Sequence, residues 1–457
     1  MTWIVRENAI SARESLSGGN AMRCGGFDKR LAIVACAGIL AGGLLTRAHG
    51  FAGGTGEPND PYQIATAEHL LSIGSNRALL DKRFVLLNDI DFDPNLPGGQ
   101  VFQDALIARD REGNVSAHSG DPFSGVLDGR GHTIWNLSIS GADGHNAALF
   151  GMFSGLVQDL HFRNVRITGS PCGAIAGLSQ GGMILRCSVT GEISGSKYVG
   201  GTVGTLWAAT LIDCQVDVRV TGIECVGGMI GNGPGGMLIR CESRVDIVGD
   251  KSVGGLVGEL REAQIVDCRA EGTVVGRDAV GGLVGTMPMA VSIIRSAANC
   301  EVVADYAAGG LAGEALFFGA HSQRIIDSYA RGSVAGSVTG GLIGVASALR
   351  VANSYVACTM IPMASETETI TPVVGGLFGE ADTSRPPLVI ASFWDAEISG
   401  IAVSSGAGTQ YLGAGLDTEH MQQQPAFEQV GWDFDATWAV LEGSHPVLQW
   451  ELARDHP

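Results

Sequence analysis

The sequence predicts an all-β chain, a parallel β-helix (solenoid) of about 27 residues per rung with short helical caps at both ends. Three observations predict it. A Gly-Gly-x-x-Gly block recurs, a strand pattern returns in the same register after each block, and outward columns change charge sign from rung to rung.

The block stands at Gly200–Gly204, Gly227–Gly231, Gly254–Gly258, Gly281–Gly285, Gly309–Gly313, Gly340–Gly344 and Gly375–Gly379, with weaker copies ending at Gly151 and Gly177. The closing glycines step by 26, 27, 27, 27, 27, 28, 31 and 35 residues. The late, longer steps read as insertions, such as Phe317 to His321 and Ser365 to Thr371. Nine such rungs, each holding three short strands, cannot bury a core singly, so neighbours supply it.

A strand follows each block. Its first inward column is Cys187, Cys214, Cys241, Cys268, Ser296, Ser328, Ser354 and Ser392. Six residues further on come Ile193, Val220, Ile247, Val274, Val302, Val334, Met360 and Ile398. The odd positions between are polar, as in Asp217, Arg244 and Glu271 or Glu192, Arg219 and Asp246. Alternation with period two marks a strand with one buried face.

Just before the Cys/Ser column lie Arg186, Asp213, Arg240, Asp267, Arg295 and Asp327. Like charges stacked in register would repel, whereas alternation turns neighbours into pairs. Exposed pairs are worth tenths of a kcal/mol each, so this ladder sets register more than stability.

Ten cysteines occur. None shows CxxC or Cys/His zinc spacing. The Cys187, Cys214, Cys241 and Cys268 ladder reads as small buried hydrophobes, interchangeable with Ser and Ala. Bridges such as Cys187–Cys214 or Cys241–Cys268 are the alternative, since stacked rungs bring Cα atoms within disulfide range. Cys300 and Cys358 share another inward column, and Cys172 and Cys225 precede glycine blocks.

Residues 1–50 read as a signal-peptide region, with Met22 a candidate start. Lys29 and Arg30 precede an apolar run from Leu31 to Leu45, and small residues precede a cleavage site after Gly50. Cys36 loosely matches a lipoprotein box. The run is too short to favour a spanning helix, and no membrane span is expected in the mature chain. Residues 51–145 then hold the N-terminal cap and first rungs, 146–400 the repeats, and 401–457 the C-terminal cap. Thr66 is a candidate helix N-cap with Glu68 in the first turn, and Leu70, Leu71 and Leu79 are placed to cover the first rung. Phe84–Leu87 reads as a strand and 125–134 as a turn between early strands. At the far end, 418–424 reads as a short helix. Phe427, Trp432, Phe434, Trp438 and Trp450 read as core-capping aromatics, or as a sugar platform.

The net charge of −18 makes nucleic acid and anionic lipid poor partners. The mean hydropathy of +0.20 and 68 glycines suit short strands and tight turns rather than a globular enzyme. Asp89, Asp91 and Asp93 start like a calcium loop, but Pro94 and Gln100 stand where glycine and a bidentate Glu belong, so turn and capping use is the favoured reading. His132 follows a glycine turn and reads as structural. No catalytic, cofactor-binding or metal-ligating residue is assigned.

The repeat resembles the GLUG-motif family of bacterial surface proteins. Val253–Gly258 and Val280–Gly285 carry its core motif. Ile326–Gly332 and Asn353–Tyr355 carry the segment that precedes it, and Gly53–Ile64 and Gly431–Phe434 resemble common flanks. The resemblance spans roughly residues 51–450. It implies a right-handed, pectin-lyase-like β-helix at or outside the cell surface. Some members adjoin immunoglobulin-cleaving metallopeptidases, whose His-Glu-x-x-His motif is missing from this sequence. The function expected is a secreted or cell-surface binding, adhesion or structural module for glycan or protein. The alternative is a polysaccharide lyase or glycoside hydrolase on the same scaffold. The inserts at 314–323 and 360–372 are the expected seats of specificity.

Overall fold

The computed structural model describes residues 50–109, 120–316, 323–364, 371–410 and 412–454. The expected signal region therefore lies outside the described residues, as does most of the two expected specificity inserts.

One coil shows how the repeat folds. Val203–Trp207 and Thr210–Ile212 lie in the first parallel sheet, and Ser188–Ser194 and Lys197–Gly200 lie in the second. Four segments per rung replace the expected three. The Gly-Gly-x-x-Gly block makes the sharp corner between the two sheets. A Cβ on Gly254 would strike the carbonyl oxygen of Val257 and sit 2.6 Å from the amide nitrogen of Gly285. A Cβ on Gly258 would lie 2.5 Å from the amide nitrogen of Val226. The chain crosses its own next coil there, and only glycine permits that approach.

Successive coils stack in register. Thr190 faces Asp217, Asp217 faces Arg244, and Arg244 faces Glu271. The result is a right-handed parallel β-solenoid of about 10 turns. Its first turns use Tyr62–Ile64, Arg83–Leu86 and Val126–Asp128, which precede the glycine blocks.

The corner before each Cys/Ser position is left-handed: Arg186, Asp213, Arg240, Asp267, Arg295 and Asp327 all have φ between 45° and 55°, as does Asp159 before Leu160. That turn diverts the next amide from the main-chain ladder. The amide of Cys241 donates to Cys268 Sγ at 3.3 Å, that of Cys268 to Ser296 Oγ at 3.2 Å, and that of Ser296 to Ser328 Oγ at 3.2 Å. Each thiol or hydroxyl in turn donates to the carbonyl two residues earlier, as Cys268 does to Val266 and Ser296 to Ile294. This corrects the expected interchange with alanine. From Cys268 to Ser392 the column side chain both accepts and donates, which Cys and Ser do and alanine does not, whereas one coil before Cys187 the column holds Leu160. All eight cysteines among the described residues are free and buried.

Inward residues form one continuous core from Phe51 to Trp394. Helix α1 (Ala67–Ser75) covers its start, capped by Thr66 as expected, with Leu70 and Ile73 buried. In the last coil the strand stops at Asp395, which caps helix α2 (Ala396–Ser399), so Ile398 is exposed rather than inward.

Beyond residue 416, helices α3 (Thr418–Met421), α4 (Gln424–Glu428) and α5 (Gln449–Arg454) form a strap. Its Phe427, Trp432 and Trp438 are buried in a second cluster, apart from the central core, against Tyr329, Tyr355 and Phe393 on the outer face of the second sheet. Those aromatics line that face rather than close the core's end.

Candidate functional site

The second sheet carries the outward polar columns, and its outer face divides into two parts. Under the strap, Tyr329 hydroxyl donates to both carboxylate oxygens of Glu451 (2.9 and 3.0 Å), and Arg331 Nε donates to Tyr355 Oη at 2.8 Å. Nearer the N-terminus the face is open. There a trough of about 710 Å³ crosses adjacent coils, lined by Arg166, Arg219 and Arg244 and by Glu192, Asp217, Asp246 and Glu271. A narrower furrow of about 170 Å³ runs beside it, past Arg163, Thr190 and Gln215. The ridge between them is the Thr190, Asp217, Arg244 column.

The lining follows from strand register. Arg166 faces Glu192, Glu192 faces Arg219, and Arg219 faces Asp246 across coils. Arg219 meets Asp246 at 2.9 Å and Arg244 meets Glu271 at 3.7 Å. The alternating columns therefore pair, and they interleave guanidinium and carboxylate along the trough. Asn164 stands at one end, hydrogen-bonded to Asn136 next to Trp135, which is 40% exposed. The strap covers the face beyond the other end, where Arg331 donates to the carbonyls of His445 and Pro446, and it also borders the trough's middle coils from the side. Arg454 donates to Glu242 Oε1 at 2.8 Å, to Asp213 Oδ1 at 3.1 Å and to the carbonyl of Arg240 at 2.7 Å.

The charge columns Asp217, Arg244, Glu271 and Glu192, Arg219, Asp246 thus come together in one place. Arg166 and Trp135 were not expected there. Their coils precede the clear repeats, and a register shift between Val189 and Gly191 hides the pairing of Arg166 with Glu192.

Other residues singled out above lie elsewhere. Asp89 accepts from the amide of Thr133 at 2.9 Å and meets His132 Nδ1 at 3.1 Å, and the Thr133 bond holds its carboxyl below the usual range. Asp91 Oδ1 accepts from the amide of Asp93, and Asp93 Oδ1 from that of Asn95, both at 2.9 Å. These carboxylates serve turns. Among the described residues no group of three or more His, Cys, Asp or Glu is placed to hold a metal. The aromatics weighed as a sugar platform are buried in the strap, or packed against its cluster in the case of Phe434 and Trp450. Burial pushes the thiols of Cys187 and Cys300 up to about 12, which disfavours thiolate chemistry there. No helix among the described residues is long and apolar enough to cross a membrane.

The fold and this face define a parallel β-solenoid with a lateral trough of interleaved arginines and carboxylates. No family model matches the chain. It is 31% identical over 159 residues to halomucin of Haloquadratum walsbyi, a match covering 33% of this chain and 2% of halomucin. It is 33% identical over 141 residues to a Gly-rich membrane protein of Evansella cellulosilytica, covering 29% of this chain and 15% of that protein. The chain spans only a small fraction of either relative's length. A solved structure of a candidate immunoglobulin A1 protease from Bacteroides ovatus is 21% identical, with a TM-score of 0.42 over 88% of this chain and 95% of that one.

Proposed function

We propose that this chain is an exported, surface-associated β-solenoid of the GLUG-repeat type that binds an extracellular glycan or protein in the trough on its second sheet. The observation that carries the reading is the trough itself: seven charged side chains from adjacent coils, Arg166 to Glu271, open to solvent on a face the strap otherwise covers. Seven Gly-Gly-x-x-Gly copies support the repeat assignment. The names of the two relatives, a halomucin and a membrane protein, support a place at the cell surface. Export rests on the signal-like segment before residue 51.

A lyase or hydrolase on the same scaffold is the second reading, because the trough does gather several carboxylates and arginines. Against it, Arg219 and Arg244 hold Asp246 and Glu271 in ion pairs, whereas acid–base work needs carboxyls set apart in role. The test is a glycan array joined to a reducing-sugar assay on the purified protein, with and without calcium. Binding without product release supports the module. Product release establishes the enzyme, and no binding to glycan or to extracellular matrix protein rejects both.

A further inference from the structure

We propose that the trough's ligand is a neutral, hydroxyl-rich linear glycan lying along the coil axis, with a terminal ring stacked on Trp135. This rests on the trough being the binding surface.

Charge excludes the acidic classes first. Arg166, Arg219 and Arg244 are each followed within a coil or two by a carboxylate, Glu192, Asp246 or Glu271. A uronate or sulfated polymer that met each arginine would meet each carboxylate as well. The surrounding chain, at −18, adds no attraction. A protein partner fits no better. Protein interfaces bury apolar and aromatic anchors and deplete charge at their centre, whereas the apolar residues of this lining, Val218 and Val245, have their side chains buried in the central core.

A diol suits what remains. Each vicinal pair of hydroxyls both donates and accepts. A carboxylate one coil from a guanidinium offers the complement, and charged partners make the stronger hydrogen bonds. The backbone ladder holds these groups about 4.8 Å apart, so little order is lost on binding. That spacing is close to the repeat of an extended pyranose chain, so successive rings meet successive coils.

The two ends define the length. Trp135 faces Arg163 in the next coil, and its indole Nε1 lies 3.4 Å from Asp89 Oδ2, which ties the ring in place. At the other end the strap covers the face beyond Glu271, where Arg331, two coils on, donates to the carbonyls of His445 and Pro446. From the coil of Trp135 to that of Glu271 is five steps, about 24 Å, room for a short run of rings.

The test is titration calorimetry of the purified protein with soluble neutral linear glucan, mannan and galactan, and with a polyuronate and a sulfated glycan. Wild type, Arg244→Gln, Asp217→Asn, Glu192→Gln and Trp135→Ala are compared, each checked by thermal melting. The expected result is binding of at least one neutral glycan that added salt does not abolish, weakened about tenfold or more by each variant. If only acidic polymers bind, and Arg244→Gln abolishes that binding, the trough stands and the neutral class falls. If glycans bind with no change in any variant, or none binds, the trough reading falls too.

Discussion

Arg240 grips Asp213 from one coil above, with Nε 2.7 Å from Oδ1 and Nη2 2.8 Å from Oδ2. The same fork joins Arg186 to Asp159 and Arg295 to Asp267. The alternating column is therefore a series of discrete pairs, each Arg reaching back to the Asp before it. The guanidinium bonds hold Asp159 and Asp213 below the usual carboxylate range.

These residues also sit at φ near +50°, which separates two effects. Replacing Asp267 with Asn should cost about 1 kcal/mol, since the part-buried pair loses its charge while the amide oxygen still accepts from Arg295. Replacing it with Val should cost about 1–2 kcal/mol more, because a β-branched residue resists the left-handed region. Chemical denaturation of the two variants measures the gap, and equal stabilities would contradict the corner geometry.

Ser296 tests the internal ladder. It is fully buried, accepts from the amide of Cys268 and donates to the carbonyl of Ile294. Ser296→Ala should destabilise by about 1–3 kcal/mol by orphaning a buried amide. Ser296→Cys should cost clearly less, because the thiol reproduces both contacts as Cys268 does. A neutral alanine variant would show that the column is a matter of size alone.

Glu314 sets a pH dependence. Burial, and secondarily Asp278, raise its carboxyl to about 7 from an ordinary 4.5. A raised carboxyl gives stability that is complete below the unfolded value and lost as pH rises through the folded one. Wild type should therefore lose stability relative to Glu314→Gln between about pH 4.5 and 7, by up to about 3 kcal/mol. Thermal melts across that window check it. Parallel curves would show that Glu314 is solvated.

The strap should come away without unravelling the coil. Trp438 is fully buried in the outer cluster, apart from the central core. Trp438→Ala should cost about 3–5 kcal/mol within the strap. It should raise hydrogen exchange over 417–454 while the ladder amides near Ile265 and Ile293 stay protected. Uniform loss of protection would make strap and coil one cooperative unit.

What the sequence disclosed and what it hid divide along physical lines. The columns at Cys214, Asp217 and Arg219 were legible because stacking repeats a single local pattern every 27 residues. The fourth segment of each rung was not. It arises from the close crossing at residues such as Gly254 and Gly258, which a composition of small residues does not locate. The strap was hidden for another reason. Tyr329 and Glu451 meet across 122 residues with no periodicity to announce it. Of the trough, Arg219, Arg244 and the four carboxylates were visible as columns, and Arg166 was not. Their gathering beside Trp135 was not, because the early coils precede the clear repeats.

The trough, the pairs and the proposed ligand all require that repeats stack one per coil. The most direct measurement is the spin–spin distance between nitroxides placed in turn at Arg219, Asp246 and Glu301, each against a fixed label at Glu192. Backbone separations should grow in proportion to coil number, by about 4.8 Å per step, reaching about 19 Å at Glu301. Distances that fail to increase step by step would contradict the stacked columns, and the trough with them.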